Sequence, residues 1–128
     1  MAENQSLGEI ITRDTAVQEF GQVGISVLIS SDLLQSISEM TTDLLMFNII
    51  EEKLVILGDK RKILYPEGFL VPAETVFKVY SKTKVLELIE SGGSDDNFVE
   101  FRGDNLTITN SDSTLEFGSL CPPYCDQA

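Results

Sequence analysis

The chain has 128 residues, 42% of them hydrophobic, with 21 acidic and 9 basic side chains and neither histidine nor tryptophan; at roughly 100 to 150 residues per domain this is one compact domain with a short appendage. A mean hydropathy of +0.05 excludes an intrinsically disordered acidic chain, and no stretch approaches the roughly 18 apolar residues that span a bilayer. The opening MAENQSLGE is too polar and acidic for a signal peptide, so an intracellular, cytoplasmic protein with no membrane partner is expected.

Residues 1–22 are weakly patterned, and a short helix over Thr15 to Phe20 is the expected element, capped by Asp14 and stopped by Gly21. Ile25 to Ile29 reads as a strand. Ser30 or Ser31 then opens a helix in which Leu33, Leu34, Ile37 and Met40 share one face. Strands follow at Leu44 to Ile50, Leu54 to Leu57 and Lys62 to Tyr65, separated by the polar turns Glu51-Glu52-Lys53 and Gly58-Asp59-Lys60 and ended by Pro66. After a connector containing Phe69, Leu70, Val71 and Pro72, Val76 to Tyr80 is again a strand. Ser81 or Thr83 opens a helix with Val85, Leu86 and Ile89 on one face, and Gly92-Gly93 ends it. Phe98 to Arg102, Leu106 to Thr109 and Thr114 to Phe117 complete the pattern as strands.

The order β-α-β-β-β therefore occurs twice, and the two copies superpose at a single offset of 52 without a gap. Ile25 falls on Phe77, Leu34 on Leu86, Ile37 on Ile89, Met46 on Phe98, Leu54 on Leu106 and Ile63 on Leu115. Chance aligns one element more readily than five in succession, so the expected fold class is α+β, a duplicated unit whose halves share one core. The units span about 24–72 and 76–120 within a domain of residues 23–120, with an N-terminal extension at 1–22 and a tail at 121–128.

Lack of histidine excludes Ser-His-Asp and Cys-His catalysis and histidine-containing zinc sites. The two cysteines, Cys121 and Cys125, lie in CPPYC near the C-terminus, too few for a four-cysteine zinc site; two free thiols are the plain reading and a strained redox pair the alternative. Asp95-Asp96 and Glu51-Glu52 offer carboxylates for Mg²⁺ in principle, but both pairs adjoin turns, where solvated charge is commoner. No catalytic residue, metal or cofactor is expected. Charge is unevenly distributed: residues 1–52 and 85–128 each carry nine acidic side chains against one basic, whereas 53–84 carries seven basic against three acidic. Lys60, Arg61 and Lys62 are either a solvated hairpin turn or a secondary basic patch.

The helix SSDLLQSISEM with its strand LLMFNIIEE, and the stretch VFKVYSKTKVLELIESGGSDDNFVEFRGDNLTITNSDSTLEF, resemble one domain of a DNA sliding clamp, most closely the first domain of T4-type phage clamps. The resemblance covers roughly residues 24 to 120 and is one of pattern. It implies helices lining the inside of a ring, sheets forming its outer wall, and a DNA replication accessory protein that tethers a polymerase without catalysis. The implied partners are double-stranded DNA, held weakly and non-specifically, and a DNA polymerase or clamp loader. Lys82 and Lys84, at the start of the second helix, and Lys78 are the expected DNA-facing residues. The first helix departs from that pattern: Asp32 stands where Lys84 stands in the second, and it carries no Lys or Arg.

Clamps of this family carry two or three such domains per chain, whereas one is expected here. The chain is then one domain of a longer clamp, a single-domain subunit, or a relative that no longer encircles DNA, and an open edge strand predicts self-association as a homo-oligomer. The alternative function is a clamp-fold interaction module or inhibitor that binds a clamp, clamp loader or polymerase without contacting DNA. Phe69, Leu70 and Val71 either line a partner groove or form a crossover packed into the core. The proline-stiffened tail is either a linker or a docking segment.

Overall fold

The computed structural model describes residues 7–121. Three helices and ten strands form two antiparallel sheets of five strands each, so the protein is α+β. Strand β1 (Glu9–Thr12) and helix α1 (Arg13–Phe20) precede the first repeated unit: β2 (Ile25–Ser30), α2 (Ser31–Ser38), β3 (Leu44–Ile50), β4 (Lys53–Leu57) and β5 (Ile63–Tyr65). The second unit is β6 (Phe77–Ser81), α3 (Lys82–Gly92), β7 (Asp96–Arg102), β8 (Asn105–Asn110) and β9 (Ser113–Glu116), and β10 (Ser119–Cys121) follows it.

The two units exchange strands. Sheet A runs β1-β9-β8-β7-β2 and sheet B runs β10-β6-β3-β4-β5, so the first strand of each unit pairs with the hairpin of the other. Exchanging the halves turns the order β2-β7-β8-β9 into β6-β3-β4-β5. The hairpins keep the offset of 52 in their register: Met46 pairs with Leu57, and Phe98 with Thr109, each 52 residues on. The first strand and helix of the units correspond at 51 instead, which corrects the gapless superposition: Leu28 faces Phe98 as Val79 faces Met46, Ser30 and Ser81 are the two N-caps, and Leu34 and Ile37 stand where Val85 and Leu88 stand, not Leu86 and Ile89. One hydrophobic core lies between the sheets and under α2 and α3, built from residues such as Leu34, Ile37, Phe47, Ile56, Tyr80, Leu88, Val99 and Ile108. Because each unit supplies strands to both sheets, neither half can bury its own apolar face alone.

Local chemistry sets most element ends. Ser30 caps α2 by accepting from the Leu33 amide at 3.1 Å, and Gly93, left-handed at φ 74°, stops α3. Helix α1 begins two residues earlier than the pattern suggests, because Thr12 rather than Asp14 caps it, through the Thr15 amide. Helix α2 ends at Ser38, two residues short of Met40, which is exposed; Leu33, inside the helix, is exposed as well, so neither lies on the expected buried face. On α3 the buried residues are Val85, Leu88 and Ile89, with Leu86 only partly covered.

Two strands were not visible in the pattern. Residues 9–12, within the expected extension, form β1 against β9, with Glu9 opposite Glu116 and Thr12 opposite Ser113. Residues 119–121 form β10 against β6, with Ser119 opposite Val79 and Cys121 opposite Phe77. Thus the second unit has both of its outer edges covered by its own chain, while β2 and β5 remain edges. Among the described residues no helix is long and apolar enough to cross a membrane.

Candidate functional site

The expected DNA-facing lysines do not form one exposed face. Lys78 is buried on β6, because its ammonium meets the Glu116 carboxylate at 2.8 Å and the Asn105 side-chain oxygen at 2.7 Å and lies 5.9 Å from the Tyr80 ring centre. A buried lysine needs such a partner to remain charged. The Glu116 carboxylate also takes the Tyr80 hydroxyl and the Asn105 amide, and the Tyr80 hydroxyl donates to the Leu106 carbonyl as well. Burial first, and the Glu116 charge second, push the Tyr80 phenol well above its ordinary pKa. This cluster joins sheet B to sheet A, and it holds Lys78 off the exposed surface on which it was expected.

Lys82 and Lys84 stand on the first turn of α3, both only partly exposed. The Lys82 ammonium donates to the Thr41 carbonyl at 3.0 Å, tying the loop after α2 to α3. Lys84 lies 3.5 Å from Glu87 one turn on. Among the exposed residues of the helix pair four are acidic: Asp32 and Glu39 on or just beyond α2, and Glu87 and Glu90 on α3. A shallow groove between the helices is lined by Gln35, Glu39, Leu86 and Glu90. Its two carboxylates, Glu39 and Glu90, suit a cationic surface better than phosphate.

The turn after β4 separates its three cations. Arg61 reaches over sheet B: its guanidinium donates to the Cys121 carbonyl and the Pro72 carbonyl, each at 3.2 Å, and lies 5.3 Å from the centre of the Phe77 ring. It clasps the connector and β10 to the fold, so Arg61 leaves the proposed basic patch. Lys60 and Lys62 are exposed. Asp59, in the same turn, accepts from the amides of Thr42, Asp43 and Leu44, the last at 2.8 Å, and so fixes the entry to β3.

Of the connector residues, Phe69 and Val71 pack on the outer face of sheet B beside Leu44, Met46, Val55, Leu57, Phe77 and Val79. They form a partial cover over the outside of the sheet, and the segment is not a strand, unlike the crossover expected to pack into the core. Leu70 between them is 89% exposed and points away. Cys121 is disulfide-bonded, which corrects the reading of free thiols; Cys125 and the rest of the proline-containing tail lie outside the described residues.

Two grooves occupy corresponding places in the halves. Glu52, Lys53, Leu54 and Pro66 line one of about 480 Å³, and Asp104, Asn105, Leu106 and Gly118, their counterparts at the offset of 52, line the other. The second groove also contains Leu120 of β10, whereas the first is bordered by the open strand β2 through Val27, Leu28 and Ile29. Sequence reasoning missed this contrast, whose only local sign is the lack of charge in β2. Protein-family models, curated proteins and solved structures give no match to this chain, so its functional reading rests on these surfaces and on the resemblance already described.

Proposed function

We propose that the protein is a non-catalytic interaction module with a clamp-like duplicated domain, whose acidic helix pair receives a basic surface of a replication protein. A clamp, clamp loader or polymerase is the partner class the resemblance suggests, and a cytoplasmic site of action belongs to the same reading. The carrying observation is the pair Glu39 and Glu90 in the groove between α2 and α3, with Asp32 and Glu87 also exposed on the same two helices. Phosphate contact draws its affinity from lysine and arginine. Here Lys78 is enclosed by Glu116, Lys82 is tied to the Thr41 carbonyl, and Lys84 has Glu87 beside it. Tethering to duplex DNA through these residues is therefore the weaker reading.

The test is calorimetric titration of the purified protein against such partners and, separately, against duplex DNA across a salt series. Binding to a partner that is lost in the double variant Glu39→Lys with Glu90→Lys, together with no DNA binding at low salt, is the expected result. Salt-dependent DNA binding lost on Lys82→Glu with Lys84→Glu overturns the reading in favour of tethering. Disulfides are rare in reducing compartments, so counting free thiols in protein trapped at the moment of lysis tests the assignment to the cytoplasm.

A further inference from the structure

The four outer sheet edges are not equally protected. An edge strand offers a row of unpaired amides and carbonyls, and proteins blunt it by shortness, charge or proline. Strand β10 has three residues, and β5 has three, flanked by Lys62 and Pro66. Strand β1 has four and opens on Glu9. Strand β2 has six, Ile-Ser-Val-Leu-Ile-Ser, with no charge, proline or glycine. It lies in the chain's longest run without a charged side chain, Phe20 to Ser31.

We propose that β2 pairs antiparallel with β2 of a second copy, joining two sheets A into one continuous sheet across an isologous dimer. Three observations converge on this occupant. First, the fold already accepts an antiparallel strand at the corresponding edge: β6, the counterpart of β2, holds β10 there. Second, the protein carries a formal charge of −12, so two copies repel over most of their surface, and β2 lets them meet with no carboxylate on the pairing strands, Glu52 at the groove rim having Lys53 next to it in the chain. Third, β2 is apolar where a partner strand would lie. Ile25 and Leu28 are 54% and 56% exposed, and Phe98, opposite Leu28 on β7, is exposed too. By strand alternation Ile25 shares a face with Val27 and Ile29, so each copy offers an Ile25 to the groove lined by Leu33, Leu54 and Tyr65 on the other. Antiparallel self-pairing closes on itself. The short or flanked remaining edges do not extend it into a fibre.

This inference is independent of what the acidic helix face binds. Sedimentation equilibrium of the full chain over a range of micromolar concentrations is expected to show a reversible monomer–dimer equilibrium. Leu28→Lys sets two ammonium groups near each other across the symmetric pairing and weakens the dimer at least about tenfold, because juxtaposed like charges cost several kcal/mol. Leu120→Lys, which places the same charge on a similarly exposed leucine of β10, leaves it unchanged. Hydrogen exchange of β2 amides slows as protein concentration rises, a response that altered stability alone does not produce. Circular dichroism verifies that both variants fold. A monomer at every concentration overturns the proposal and leaves the edge to a strand of a different protein. A dimer that survives Leu28→Lys, or falls equally with Leu120→Lys, overturns it as well.

Discussion

The outer faces of sheets A and B are built from corresponding positions of the two repeats, yet they are opposite in chemistry. On sheet B, Met46, Val55 and Leu57 face outward with Phe77 and Val79, and Phe69 and Val71 of the connector seal them. On sheet A the counterparts of Val55 and Leu57 are Thr107 and Thr109, buried together with Glu100 and Arg102. There the Glu100 carboxylate accepts from Arg102 at 2.9 Å and from both threonine hydroxyls, while Arg102 also reaches the Gly21 carbonyl at 2.9 Å, just beyond α1. Most inward-facing positions are apolar in both copies because both line the shared core; Lys78 and Asn97 are the polar exceptions, each buried and held by hydrogen bonds. Outward-facing positions differ with the segment that covers them.

The largest effect tests the polar face. Arg102→Met leaves the buried Glu100 carboxylate without its cation and is expected to destabilise the fold by about 3–5 kcal/mol, measured by urea denaturation. Placing the polar solution on the apolar face has a smaller effect. Val55→Thr, which copies Thr107 into sheet B, buries a hydroxyl among aliphatic neighbours and costs about 1–3 kcal/mol in the same measurement. A result near zero would show that the outer face of sheet B admits water, and the contrast between the sheets would lose its basis.

Arg61→Ala removes the clasp over Phe77 and is expected to cost about 1–2 kcal/mol. Limited proteolysis of the 66–76 connector should then quicken, because both carbonyls that Arg61 holds lose their donor. Tyr80 predicts a pH dependence. Its folded pKa lies above the unfolded value of about 10, so its contribution is complete below about pH 10 and is lost as pH rises through the folded value. Alkaline denaturation of the wild type against Tyr80→Phe measures this, and the variant is expected to show the shallower loss above about pH 10. Leu70→Ser, on the exposed side of the connector, should change stability by less than about 0.5 kcal/mol. A larger loss would mean that Leu70 packs against something in solution.

The candidate site was less legible in the sequence than the fold. The lysines of β6 and α3 were visible as a local excess of positive charge, but charge counted along a chain carries no information on burial. Lys78 finds Glu116 only because β6 and the end of β9 meet at the junction of the sheets. Arg61 was grouped with Lys60 and Lys62 by adjacency, yet backbone turns at positive φ at Lys60 and Arg61 send it to Pro72 and Cys121 while Lys62 stays exposed. Met40 was assigned to the buried face because the apolar spacing continues where the helix does not, and Leu33 because it adjoins Leu34, although within the helix only Leu34 and Ile37 among these residues turn inward.

What the sequence determined by itself was the repeated β-α-β-β-β order, the turns between the hairpin strands and most helix ends. These depend on alternation, turn residues and caps within a few positions of one another. Only the tertiary structure decided that each half lends its first strand to the other half's hairpin. It also decided that β1 and β10 exist at all. Strands of three or four residues have too few contacts to persist alone, and these two draw their stability from partners far along the chain, Glu9 opposite Glu116 and Cys121 opposite Phe77. By covering the edges of one half, they leave β2 and the short β5 as the outer strands of the other half among the described residues, and of these two only β2 is long and uncharged.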